Sequence, residues 1–219
     1  MITRLYLVRH GATSLTLEDK FSGAEGVELS DEGRAQAERL AERLRPEKIS
    51  AVYSSPYSRA LETARIIVKG SPVSPVAMDG LREIAHGHWA GLSRSEVEER
   101  FGSEYAMWEQ DPFTFAPDGG ESGVAVLARA LPAIRQIVTT NQGARVLVVS
   151  HKATIRLILS SLLGIDARGY RDRLDQDPAC LNVLDFRDPV RARLMLFNDT
   201  SHYATIPADA ARCLSKWWG

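Results

Sequence analysis

The chain has 219 residues, 44% of them hydrophobic and 25% charged, and a formal net charge of −1. That length can bury a sizeable core, and the balance is that of a soluble globular protein. It offers no global field to nucleic acid or an anionic membrane, so any anion site must be local. Two cysteines, Cys180 and Cys213, are too few and too far apart for a disulfide scaffold or a zinc site. No basic, apolar leader is visible, and the apolar stretch 144–163 is interrupted by His151, Lys152 and Arg156. A cytoplasmic protein without a membrane span is expected.

In chain order, short aliphatic runs alternate with helical patterns, the signature of an α/β sheet. Residues 2–8 read as a buried strand, followed at once by Arg9, His10 and Gly11. From Ser30, Ala37, Leu40, Ala41 and Leu44 share one helical face. The run "ISAVYSS" predicts a second strand ending at Ser55. Pro56 is expected in the first turn of the next helix, capped by Ser54 or Ser55 and ended at Gly70. Residues 71–78 should hold a short edge strand. The stretch 84–120 breaks the alternation with glycines and aromatic residues, which predicts an insertion of short helices and loops over a site. A helix over 121–141 should be disturbed at Pro132. The strand "ARVLVVS", the helix "HKATIRLILSSLLG" and two late strands, "CLNVLDF" and "ARLMLFN", complete the series. No repeat or linker divides the chain, so residues 1–219 are expected to form one domain.

His10 and His151 thus occupy equivalent places, each just beyond a strand, and Arg59 opens the helix after the second strand. Parallel strands deliver such ends to one edge, where these folds keep ligands. A helix N-terminus there favours an anion. Arg9, His10, Arg59 and His151 converging on one crevice point to phosphate.

Five ordered segments, "LVRHGAT", "YSSPYSRALETA", "LREIAHGHWAGLS", "GGES" and "VVSHKATIR", resemble the histidine phosphatase superfamily. The resemblance implies the phosphoglycerate-mutase-like fold, a three-layer sandwich around a mostly parallel sheet. It also implies a phosphomonoesterase that works without metal or other cofactor on a small phosphorylated metabolite: phosphoserine, a phosphoglycerate or a sugar phosphate. His10 would be the nucleophile, giving a phosphohistidine. Arg9 and Arg59 would grip non-bridging oxygens in forked geometry, and His151 would donate a further hydrogen bond. Glu83 would protonate the leaving group and then activate water, helped by burial beneath the insertion. Thr16, Ser22 and Gly23 fall where the family places further phosphate or substrate contacts, although asparagine is common at the position of Thr16.

Several alternatives stay open. Glu121 is a rival carboxylate or simply starts its helix. His86 and His88 form an H-x-H pair, which on a strand would face one way as metal ligands do, but no third ligand is evident, and His86 could line the pocket. Lys152 replaces a common glycine and either adds charge at the rim or points to solvent. His202, in "NDTSHY", resembles a segment of metal-independent phosphoserine phosphatases, where it would recognise a substrate carboxylate or other polar group; otherwise it only ends a strand. A phosphoglycerate mutase and a non-catalytic phosphate-binding protein are the competing functions. Nucleic-acid and membrane partners are not expected; a homodimer is one assembly the resemblance implies.

Overall fold

The computed structural model describes residues 1–14, 20–21 and 26–204. Six strands form one sheet: β1 (Thr3–Arg9), β2 (Ala51–Ser54), β3 (Pro75–Ala77), β4 (Arg145–Ser150), β5 (Leu181–Phe186) and β6 (Ala192–Asp199), in the order β3-β2-β4-β1-β5-β6. Only β5 runs against its neighbours, so the sheet is mostly parallel. Among the described residues, six α-helices join them: α1 (Asp31–Leu44), α2 (Ser58–Ile67), α3 (Arg94–Gln110), α4 (Gly123–Thr140), α5 (Lys152–Leu163) and the single turn α6 (Tyr170–Arg173).

The layers follow from the period of two along each strand. Leu5 and Leu7 join Val146 and Val148 in packing against Ile134 and Ile137 of α4 and Ile155 and Ile158 of α5. Tyr6 and Val8 point the other way, with Leu147 and Val149, onto Leu40 and Leu44 of α1 and Ala60 and Ala64 of α2. Each large aliphatic side chain so buried stabilises the fold by roughly 1.5–3 kcal/mol. A sheet covered on both faces has only its ends left for chemistry. Arg9 stands opposite Ser150 in the β1–β4 register, so the two strands end level and His10 and His151 leave the sheet together.

Two local expectations need correction. Pro56 lies outside α2: the helix starts at Ser58 behind Tyr57, with no side-chain cap. The Ser55 hydroxyl accepts from the Tyr57 N–H and is also engaged by His151. The segment of His86 and His88 is not a strand either. Gly87 between them has φ 53°, a left-handed conformation that glycine accepts without strain. It sends His86 toward Phe21, with ring centroids 4.8 Å apart, and His88 toward the Asp118 carbonyl and Glu104. The pair therefore does not face one way.

The insertion is built around rings. Phe21, Trp89, Val97 and Trp108 are buried together, flanked by Leu92, Phe101, Tyr105 and Phe115. Helix α3 begins with a reciprocal cap between Ser93 and Glu96 and bends at Phe101. Arg171 of α6 lies over Trp108, 4.0 Å from the ring centroid, and pairs with Glu109 at 3.0 Å. Helix α4 continues through Pro132 as one element. No described helix is long and apolar enough to cross a membrane.

Candidate active site

His10 is held by its backbone before its side chain does anything. Its N–H donates to Ser150 O and its carbonyl accepts from Ala179 N, both at 3.0 Å. Gly11 then passes so close to α1 that a Cβ would lie 2.4 Å from the Gly33 carbonyl oxygen, which explains a glycine directly after the histidine. The His10 Nδ1–H donates to Gly11 O at 2.8 Å. That bond puts the proton of the neutral ring on Nδ1 and leaves a lone pair on Nε2. Burial, then the charges of Arg9 and Arg59, hold the imidazole well below its ordinary protonation range. The ring is thus kept neutral, as a nucleophile must be.

Around it lie the other expected residues. His151 places its ring centroid 5.0 Å from that of His10, in an edge-on arrangement. Its Nε2 is 2.7 Å from Ser55 Oγ, and its Nδ1 is buried with no partner among the described residues. With Ser55 donating to Nε2, the remaining proton sits on Nδ1, free for an acceptor. Burial and the neighbouring His10, Arg59 and Arg9 keep this imidazole uncharged as well.

Arg59 is the second residue of α2 and only 1% exposed. Its Nη1 and Nη2 are buried with no partner among the described residues, while its carbonyl accepts from Thr63 Oγ1 at 2.7 Å. The same Thr63 oxygen accepts from Gly11 N, so one hydroxyl ties Arg59 to the loop of His10. Tyr57 lies under the guanidinium, 5.1 Å from ring centroid to Cζ. Arg9 uses Nη1 on Gln176 O at 2.6 Å and leaves Nε without a partner among the described residues. Each unmet buried donor costs about 1–3 kcal/mol, and a tetrahedral anion would meet several at once.

Glu83 is 6% exposed. It faces the start of α5. One oxygen accepts from Ile84 N at 2.9 Å and from Thr154 N and Oγ1, both at 3.2 Å; the other accepts from Ala153 N at 3.2 Å. The rival carboxylate is committed elsewhere. Glu121 clasps Arg129 with both oxygens and also accepts from Ala85 N. It precedes α4, whose N-terminus is capped by Ser122.

Lys152 begins α5 and pairs with Asp175 at 3.0 Å; Arg156, one turn on and 4% exposed, reaches the same oxygen at 2.6 Å. Burial alone would raise Asp175, but the two cations outweigh it and hold the carboxyl at about 2. His86 is pushed down to about 4 by burial, against the opposing pull of Glu83 and Glu121. His202 lies in a turn after β6, its ring 4.9 Å from that of Tyr203. Both its nitrogens are buried, and the Ala179 backbone lies within reach of the ring. Burial, then Arg43, lowers it to about 4. Thr16, Ser22 and Gly23 lie outside the described residues.

The sequence reading missed Ser55, Thr63, Thr154, Asp175 and Arg129. Ser55 and Thr63 were inside the quoted "YSSPYSRALETA" segment, where Thr63 stands four residues after Arg59 and hence on its helical face. Thr154 was inside the quoted "VVSHKATIR" segment, but nothing local gives it, Asp175 or Arg129 a role, because most of their partners are distant in sequence.

A family model described as histidine phosphatase superfamily (branch 1) matches residues 5–200. Phosphoserine phosphatase 1 of Hydrogenobacter thermophilus is 31% identical over 213 residues, which cover 97% of this chain and all of the relative. Glucosyl-3-phosphoglycerate phosphatase of Mycolicibacterium vanbaalenii is 35% identical over 75% of this chain and 76% of its own. Among solved structures, YhfR of Bacillus stearothermophilus superposes with a TM-score of 0.85 at 30% identity, covering 91% of this chain and 98% of its own.

Proposed function

The chain belongs to the histidine phosphatase superfamily, as an enzyme that hydrolyses small phosphorylated metabolites, and from that premise we propose that it works through a phosphohistidine on His10. The observation that carries this reading is the juxtaposition of a neutral His10, its Nε2 lone pair available, with the Arg59 Nη1 and Nη2, which have no partner among the described residues.

In the first step Nε2 attacks phosphorus in line with the ester oxygen; the N–P bond forms as the P–O bond breaks. Arg9, Arg59 and His151 receive the non-bridging oxygens, whose charge needs fixed donors rather than covalent help. Glu83 gives its proton to the departing alkoxide. In the second step water attacks phosphorus, Glu83 takes the water proton, and the N–P bond breaks to release phosphate and a neutral His10.

The substrate class follows from the rim. Lys152 and Arg156 share a single carboxylate, Asp175, which is itself 60% exposed. A substrate carrying a carboxylate beside its phosphate could displace Asp175 and take over its cations. This favours phosphoserine-like or phosphoglycerate-like esters over neutral ones. The relatives' names, a phosphoserine phosphatase and a phosphatase of a glucosylated phosphoglycerate, are consistent with it. His202 is the candidate for a further polar contact to such a substrate.

A panel of phosphoserine, 3-phosphoglycerate, a sugar phosphate and a phosphopeptide tests the reading by phosphate release, with 3- to 2-phosphoglycerate conversion followed in parallel. Release is expected, fastest from the carboxylate-bearing small esters. Mutase flux with negligible release would overturn it.

A further inference from the structure

Beyond that reading, but resting on Glu83 as the proton donor, we propose that Arg129 is a positioning residue that sets the catalytic acid. All five N–H groups of its guanidinium are used. Nε donates to Glu121 Oε1 at 2.9 Å, and Nη2 donates to Glu121 Oε2 at 2.8 Å and to Glu83 O at 3.0 Å. Nη1 donates to Gly80 O at 3.1 Å and to Arg82 O at 2.8 Å. Three carbonyls of the segment that bears Glu83 thus meet one planar fork on α4. The remaining carbonyl, of Leu81, accepts from Ser150 Oγ at 2.8 Å, next to His151. Thr154 adds a second donor to Arg82 O at 2.6 Å while also touching the Glu83 carboxylate.

Four consecutive carbonyls are therefore caught by side chains from α4, β4 and α5. This segment has no strand or helix ladder of its own to fix it beyond the short turn at Asp79–Leu81. Its approach to α4 is close: a Cβ on Gly80 would stand 2.6 Å from Arg129 O and 2.7 Å from the Ala133 Cβ. Glu121, the anion of the clasp, also holds the base of the insertion, where Ala85 N donates to its side chain and Ala85 O accepts from its N–H at 2.8 Å. One ion pair at 2.8 Å thus joins the acid's backbone to the foot of the insertion. Lysine, with three donors on a single nitrogen, cannot reproduce the fork.

Leaving-group dependence separates this role from simple support of the fold. The measure is kcat/KM, which covers every step up to departure of the alcohol and excludes phosphohistidine hydrolysis. An alkyl phosphate needs the proton of Glu83; p-nitrophenyl phosphate, with its stable phenolate, does not. Arg129→Met should lower kcat/KM for phosphoserine by ~10²-fold, the cost of a misplacement of about an ångström. For p-nitrophenyl phosphate the loss should stay under about threefold, since acid catalysis is what that ester dispenses with. Arg129→Lys should fail to rescue the alkyl ester. In a Glu83→Gln background, Arg129→Met should add almost nothing on phosphoserine. Should Arg129→Met not fold, Glu121→Gln, which keeps all three carbonyl contacts, should give the same selective loss on a smaller scale. Equal losses on both esters, or a full additional loss in the Glu83→Gln background, would overturn the proposal. Protein labelled by radiolabelled p-nitrophenyl phosphate and quenched in denaturant at alkaline pH keeps the two ideas apart. Failure to label the wild type counts against the phosphohistidine, whereas normal labelling with an equal loss counts against Arg129 alone.

Discussion

At the carboxyl edge of the sheet, buried donors are left waiting: the Arg59 Nη1 and Nη2, the Arg9 Nε and the His151 Nδ1 have no partner among the described residues. In the insertion the buried material is chiefly aromatic, with Trp89 stacked on Phe115 at 6.0 Å and set edge-on to Trp108 at 5.8 Å. Both regions exclude water, but to different ends. The first keeps its donors fixed and without partners among the described residues, so that in the proposed mechanism a phosphoryl group completes them. The second closes on itself, and so can set the shape of the pocket without holding charge. Chemistry should therefore fail when the sheet edge is altered, and order or selectivity when the insertion is altered.

The sharpest break of that contrast is Arg59→Lys. A lysine keeps the charge but loses the fork, and turnover should fall by roughly 10²–10³-fold with the thermal midpoint little changed. A near-normal rate would mean that charge alone, not geometry, does the work. Trp89→Ala is the reciprocal test. Emptying that fully buried site should cost ~3–5 kcal/mol of stability, read by denaturant unfolding. Whatever protein remains folded should still turn over p-nitrophenyl phosphate. Loss of that activity at full folding would place the insertion in the chemistry.

Acid should tell the regions apart less steeply. His10 and His151 are held well below the ordinary imidazole value of 6.5, and His86 and His202 at about 4. The unfolded chain therefore takes up protons that the folded one refuses as pH drops through about 6.5. Stability should be complete above that point and decline toward pH 4, with stability rising wherever the unfolded state binds more protons. Melting temperatures between pH 7 and pH 4.5 check the sign, and a flat profile would contradict the buried neutral imidazoles. The acid limb of kcat/KM should correspondingly lie below the usual range of histidine.

The smallest effects belong to the rim. Lys152→Gly should raise KM for phosphoserine by roughly threefold to tenfold, the scale of a partly exposed ion pair, and leave p-nitrophenyl phosphate unchanged. His202→Ala should shift the ranking of substrates without lowering the best rate. An unchanged ranking would remove His202 from the substrate contacts.

What the sequence disclosed depended on distance along the chain. The sheet, its layers and the strand-end histidines were legible because they rest on a period of two, a period of 3.6 and short motifs. Arg59 was legible for the same reason, as a residue in the first turn of a helix that follows a strand. The cradle of Glu83 was not. Apart from the adjacent Ile84 amide, its donors are the Thr154 hydroxyl and the Ala153 and Thr154 amides, about seventy residues away, and no local pattern announces such a meeting. Glu121 misled in a similar way: its spacing fitted either a helix start or a second acid, and only the eight-residue reach to Arg129 shows the clasp. The H-x-H pair misled through backbone, since Gly87 turns the chain where a strand would have aligned the rings.

The most direct test of the central claim is to mix the enzyme with radiolabelled phosphoserine or p-nitrophenyl phosphate, quench it in denaturant at alkaline pH, and locate the label. The account predicts one acid-labile, base-stable phosphoryl group per chain, on the peptide containing His10, and none in His10→Ala. Turnover by wild-type protein with no label on that peptide, or undiminished turnover by His10→Ala, would contradict it.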